Sequence, residues 1–188
     1  MRTLSWVPVA ALLLVACDDT TSPEDVGGAP EFARTQAGVE MESAEASFWA
    51  VRGQARTLVL RRADGTTALE FEVGPNSLVA RPDGSEIAAN DSIQITVRPI
   101  GGDGYVFDFQ PSGLRFSTAE PALLRIHYDA DLNGDGLVGP VDALLESTLS
   151  IWIQAAPGLP WLPIPSLRLP GHVVEGEVTH FTGFALAS

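Results

Sequence analysis

Apolar and polar residues alternate in short runs along most of the chain. Leu69, Phe71 and Val73 are interleaved with Glu70 and Glu72, and Ile93, Ile95 and Val97 with Gln94, Thr96 and Arg98. Tyr105, Phe107 and Phe109 bracket Asp108, with Gln110 next, and Leu124, Ile126 and Tyr128 alternate with Arg125, His127 and Asp129. A period of two sends one set of side chains to a buried face and the other to water, which predicts half-buried strands. Residues 47–51 and 56–61 are further β-rich runs, separated by Gly53. Asp64-Gly65 is a hairpin signal, and the stretches at 74–76, 82–84 and 111–113 combine Pro and Gly with Asn, Asp or Ser as turns. Past residue 140 the period changes. Val141, Leu144, Leu145, Thr148 and Leu149 recur at helical spacing over about two turns, the one helix the pattern predicts. Residues 150–154, 161–164, 172–178 and 180–186 then read as strands around Pro-rich turns. Roughly ten short strands, with turns every eight to twelve residues, predict an all-β, antiparallel β-sandwich over residues 44–188.

Between the last alternating run and the helix stands D-L-N-G-D-G-L-V-G-P-V-D, residues 131–142. Asp131, Asn133 and Asp135 supply side-chain oxygens at positions 1, 3 and 5 of a twelve-residue loop, with Gly136 at position 6, where the chain turns sharply. Leu137 at position 7 offers its carbonyl, Val138 at position 8 is apolar and expected to tuck under the core, and Asp142 closes the loop at position 12. A register beginning at Asp129 would put Gly136 at position 8 and Pro140 at position 12, which fails. A hard cation takes six to eight oxygens at about 2.3–2.6 Å, so the expected cofactor is Ca²⁺, held by Asp131, Asn133, Asp135, Leu137 and Asp142. The stretch resembles the EF-hand and, more closely, the dockerin-type calcium loop, which accepts Asp at position 12 and lacks an entering helix. Dockerins carry two such loops and bind cohesins, whereas one loop is found here. Gly139 at position 9 can contribute only through water, so the expected affinity is in the weak extracellular range of about 10⁻⁴–10⁻³ M.

The balance of charge narrows the partners. Of 188 residues, 24 are acidic and 11 basic, all Arg, for a net charge of −13, which excludes nucleic acid, since phosphate binding needs clustered cations. Eight of the acids fall between Asp18 and Glu45, against Arg34 alone, in a stretch also rich in Pro, Gly, Ser and Thr. Residues 17–43 are therefore expected to be a disordered acidic tether. Ahead of it come Arg2, an apolar run from Val7 to Ala16 broken by Pro8, and then Leu14-Val15-Ala16-Cys17. This resembles a bacterial lipoprotein signal, with residues 1–16 removed and Cys17, the one cysteine, lipidated as the mature N-terminus. The run is too short to cross a bilayer, which takes about 20 residues in a helix. The resemblance implies a membrane-anchored lipoprotein of the bacterial cell envelope, facing the periplasm or the cell surface.

F-E-V-G-P-N-S-L at 71–78, F-Q-P-S-G-L-R-F at 109–116, W-L-P-I-P-S at 161–166 and H-F-T-G-F-A-L-A at 180–187 come in an order that resembles the ZU-five (zona-occludens/Unc-five) β-sandwich. The resemblance covers roughly residues 69–188, with the calcium loop and helix as an insertion between two strands. It implies a sandwich used for protein contacts and, in a few members, self-cleavage. Self-cleavage would fall at Phe181-Thr182, with the Thr182 hydroxyl attacking and His180 accepting its proton. The competing and favoured expectation is that His180-Phe181-Thr182 opens the last strand with Phe181 in the core. His127, His172 and His180 show no ligand spacing, and G-x-S-x-G, P-loop, G-x-G-x-x-G and H-E-x-x-H motifs are absent from the sequence. Trp49, Trp152 and Trp161 could stack on a sugar, but on strands such residues are more often core. The expected role is structural or protein-binding rather than enzymatic. The alternatives are a dockerin-like, calcium-dependent interaction module and a self-cleaving domain.

Overall fold

The computed structural model describes residues 29–36, 39–102 and 104–188, so Cys17 and the segment 1–16 lie outside the described residues. In chain order the elements are β1 (Ala46–Val51), β2 (Arg56–Arg61), β3 (Thr67–Val73), β4 (Leu78–Ala80), β5 (Ser92–Pro99), β6 (Val106–Gln110), β7 (Arg115–Phe116), β8 (Ala122–His127), α1 (Pro140–Thr148), β9 (Ser150–Gln154), β10 (Trp161–Pro163), β11 (Ser166–Leu169), β12 (Val173–Val178) and β13 (Gly183–Ala187). Thirteen strands replace the roughly ten expected, because β4, β7 and β11 are only two to four residues long and leave little alternation to read.

The fold is an all-β sandwich. One sheet runs β1-β5-β6-β13-β9-β10, the facing sheet β11-β12-β8-β3-β2, and β4 pairs with β7 as a small flap. Every strand pairing is antiparallel. The predicted alternation holds where it was strongest. Phe71, Val73, Ile95, Val97, Phe107, Phe109, Leu124 and Ile126 are wholly buried between the sheets. Phe181 joins them, with its ring 5.2 Å from Phe71, 5.1 Å from Phe109 and 4.8 Å from Phe116, centroid to centroid. Aromatic pairs at such spacings add to the burial of their area. The outer face of the β8 sheet is polar. There Arg125 lies across its neighbours, donating from Nε to Glu175 at 2.7 Å and from Nη1 to Glu72 at 3.2 Å, with Glu70 at 3.7 Å.

The body of the domain begins before residue 44, where the tether was expected to end. The Glu31 N–H donates to the Ser188 carbonyl at 3.1 Å, and the Ser188 N–H returns the bond to Glu31 at 3.0 Å. The Ala33 N–H reaches Leu186 at 2.9 Å, the Tyr105 N–H reaches Ala33 at 3.3 Å, and the Arg34 N–H reaches Leu132 at 2.9 Å. This strap, residues 31–35, runs past the end of β6 beside β13 and buries Ala33 and Thr35. Its sequence has no alternation because its order comes from backbone bonds to strands far away in the chain.

The link from β8 to β9 crosses from one sheet to the other. It contains the twelve-residue loop and α1. The segment that carries the candidate chemistry is therefore also a tie between the two sheets at one end of the sandwich.

Candidate metal centre

Two clamps hold the entrance and exit of the loop. At the entrance, the wholly buried Tyr105 donates its hydroxyl to Asp129 Oδ2 at 2.8 Å and accepts the Asp129 N–H at 2.9 Å. Burial, and then the bond to Asp129, raises the Tyr105 pKa well above the ordinary phenol value, so the hydroxyl remains a donor. Arg62, itself buried, stacks over the Tyr105 ring and donates to the carbonyls of His127 at 2.6 Å and Thr67 at 2.8 Å. Its guanidinium also lies 3.9 Å from Asp129 Oδ2. At the exit, Glu146 on α1 accepts the Tyr128 hydroxyl at 2.8 Å and stands 3.3 Å from His172 Nδ1. The alternation pattern contains neither clamp, because Arg62 and Tyr105 come from opposite sheets.

Inside the loop the acidic side chains are organised around backbone N–H groups. Asp131, only 4% exposed, accepts the Gly134 N–H at Oδ1 and the Gly136 N–H at Oδ2, both at 2.8 Å. Asp135 accepts the Leu137 N–H at Oδ1, 2.8 Å, and the Asn133 amide at Oδ2, 3.0 Å, while Asn133 Oδ1 accepts the Asp135 N–H at 2.9 Å. Gly136 has φ of 84°, the left-handed turn that position 6 demands and glycine adopts without strain. Gly134 is left-handed too, and a Cβ there would press within 3.2 Å of the Arg34 side chain.

Asp142 does two jobs. Its Oδ1 accepts the N–H groups of Leu132 at 2.9 Å and Asn133 at 3.2 Å, closing the loop onto its own start. Its Oδ2 accepts the Gly139 N–H at 2.8 Å, the N-terminal half of a capping box at the third helical position. Gly139 has no side chain to return that bond, and Pro140 follows at the first helical position, where its missing N–H costs nothing. The Gly139 bond, with those from Asn133 and Leu132, holds the Asp142 carboxyl below its usual pKa range despite burial.

The donor set fits a hard cation in kind. Asp131, Asn133, Asp135, the Leu137 carbonyl and Asp142 offer only oxygens. Among the described residues, none of the three loop carboxylates sits in an ion pair with Arg or His. Each Asp131 oxygen accepts one bond and keeps a lone pair free, whereas Asp142 Oδ1 already accepts two. Asp142 therefore acts as a pin and cap, with both of its oxygens engaged by backbone N–H groups. In these rotamers no three or more His, Cys, Asp or Glu side chains among the described residues converge into a metal cage. Val138 departs from expectation. It is 70% exposed, and Leu132 at position 2 takes the buried place instead, at 2%. Leu132 could be recognised as an apolar residue flanked by two ligands, but the loop pattern assigns no role to position 2.

The other candidates fall apart in space. His180 is exposed, with Nδ1 3.4 Å from the Thr179 hydroxyl, while the Thr182 hydroxyl is buried without a hydrogen-bond partner. The Phe181 side chain is core, as favoured. Trp152 is buried and donates to the Ala187 carbonyl at 3.1 Å, Trp161 packs edge-on to Phe32 at 5.4 Å, and Trp49 is 58% exposed, so the three do not share a platform. No helix among the described residues is long and apolar enough to cross a membrane. Comparison with protein-family models, with curated proteins and with solved structures finds no match to this chain, and the reading of the loop rests on its own residues and geometry.

Proposed function

We propose that this protein is an envelope lipoprotein whose β-sandwich is stabilised by Ca²⁺ bound in the loop at 131–142, with a structural or protein-binding role and no catalytic one. The observation that carries the reading is the loop itself. Three carboxylates, Asp131, Asp135 and Asp142, stand within one twelve-residue loop around a left-handed Gly136, each accepting the loop's own N–H groups and none paired with Arg or His among the described residues. Such a loop keeps its shape by tying its own N–H groups, and an ion replaces part of the mutual repulsion with coordination. The site lies in a crossover between the sheets, so an ion bound there favours the folded state over the unfolded one.

The test is thermal unfolding of the purified protein in excess chelator and in millimolar calcium. At about 100 times the dissociation constant, binding to the folded state alone adds about 2.7 kcal/mol. Asp135→Ala, at an exposed ligand, is expected to abolish the shift while leaving the chelator curve nearly unchanged. Superimposable curves for the wild type in chelator and in calcium would refute the proposal. The membrane anchor at Cys17 and the envelope location belong to the same proposal and rest on the sequence at residues 1–17.

A further inference from the structure

The loop and helix leave one face of the molecule unlike the rest of its surface. Asp142, Leu145 and Leu149 turn α1 inward, and the opposite side stands in water. Leu137 is 73% exposed, Val138 70%, Val141 55% and Leu144 67%. Pro140, Ala143, Ser147 and Thr148 complete that side, all exposed and none charged. Single exposed apolar residues are ordinary, but four on one short helix and the turn leading into it are not. Absence of charge at the centre, with charge at the margin, is what separates a contact surface from the general surface. Packing does not require these four side chains, since Leu145 and Leu149 already anchor the helix.

The surrounding charge says what fits there. From residue 126 to residue 167 the chain has five acids and no Arg or Lys. Asp131 and Asp142 are buried, Asp129 lies by Arg62 and Arg34 packs on Gly134, so Asp135 and Glu146 carry the charge next to this face. Asp135 is exposed at one end of the apolar face, and Glu146, on the helix itself, is partly exposed next to His172. The last turn of α1 has no basic residue to offset the partial negative charge at the C-terminal end of the helix. A second copy of this chain would bring like charges together on a protein already at −13. We infer that the face formed by Leu137, Val138, Val141 and Leu144 docks a protein partner with an apolar pocket rimmed by Arg or Lys. This deepens the protein-binding half of the reading above and rests on it. It does not require that Ca²⁺ be bound, because Asp142 caps and pins the helix by hydrogen bonds.

The probe is a phage-displayed library of random linear peptides, selected on the purified full chain in millimolar calcium and again in chelator. Enriched peptides are expected to combine aliphatic or aromatic residues with flanking Arg or Lys. A synthetic peptide of the consensus should bind V141S/L144S at least tenfold more weakly than the wild type, while the two proteins melt alike. A second variant, Leu137→Ser, should give an intermediate loss. An acidic or uncharged consensus, a consensus peptide that binds V141S/L144S as well as the wild type, or no enrichment would overturn the inference. So would wild-type self-association in sedimentation that V141S/L144S abolishes, which would make the occupant a second copy. Failure of the calcium reading shows separately, as melting that calcium does not move.

Discussion

Removing one oxygen from the middle of the domain tests whether the loop entrance is held as described. Tyr105→Phe keeps the buried ring and its contact with Arg62 but deletes the hydroxyl that donates to Asp129 Oδ2 and accepts the Asp129 N–H. A hydrogen bond to a charged group contributes about 1.5–3 kcal/mol and a neutral one about 0.5–1.5 kcal/mol. Asp129 is partly exposed, so water recovers some of the loss at its carboxylate, and Arg62 remains 3.9 Å away. The expected destabilisation is about 2 kcal/mol. With a urea slope of about 2 kcal/mol/M, the unfolding midpoint should fall by about 1 M. Equilibrium unfolding by tryptophan fluorescence reads this directly, since Trp152 is buried near the end of the strap. Asp129→Asn is the companion. It retains an acceptor for Tyr105 but loses the charge, and should fall between the wild type and Tyr105→Phe. A midpoint shift below about 0.3 M for Tyr105→Phe, or a larger loss for Asp129→Asn, would mean that the clamp does not hold the loop.

Burial lowers the His127 pKa from its ordinary value, with Glu70 acting against the shift and Arg62 and Arg125 adding to it. The unfolded chain therefore takes up that proton first on acidification. The stability His127 contributes is complete above pH 6.5 and is lost as the pH falls through its lower folded-state pKa. Urea midpoints measured from pH 7.5 to 5 should fall more steeply for the wild type than for His127→Gln, and parallel curves would contradict this. Cys17→Ser should move the protein from the membrane to the soluble fraction, and equal partitioning would remove the lipid anchor. Denaturing mass spectrometry should find the bond between Phe181 and Thr182 intact. A fragment lacking the last seven residues, and absent from Thr182→Ala, would make His180 and Thr182 a catalytic pair.

The buried faces of β3, β5, β6 and β8 could be read from the sequence because each strand has one wet side and one dry side, and alternation records that directly. The helix was legible for a similar reason, although Val141 and Leu144 face water while Leu145 and Leu149 carry its packing. The left-handed turn at Gly136 was legible because a glycine within a run of Asp and Asn marks a sharp turn of the chain. What escaped is non-local. The strap is ordered through backbone bonds to Leu186, Ser188 and Leu132, and no side-chain period marks such pairing. The roles of Arg62 and Tyr105 depend on two sheets meeting, which pattern within one strand cannot express. Val138 was expected inside because the loop pattern places an apolar residue at position 8, yet it stands exposed and Leu132 is the buried apolar residue of the loop.

The reciprocal bonds between Glu31 and Ser188 bring the two ends of the folded body to a single pole. A short Gly-Ser linker could join those positions, and the exposed turn at Asp83-Gly84 could then be opened to provide new ends elsewhere. Such a circular permutant would keep every strand pairing while changing which strands emerge first from the ribosome. It also bears on labelling. A reporter appended at Ser188 would crowd the start of the strap at Glu31, whereas one inserted at 83–84 would leave that pairing untouched.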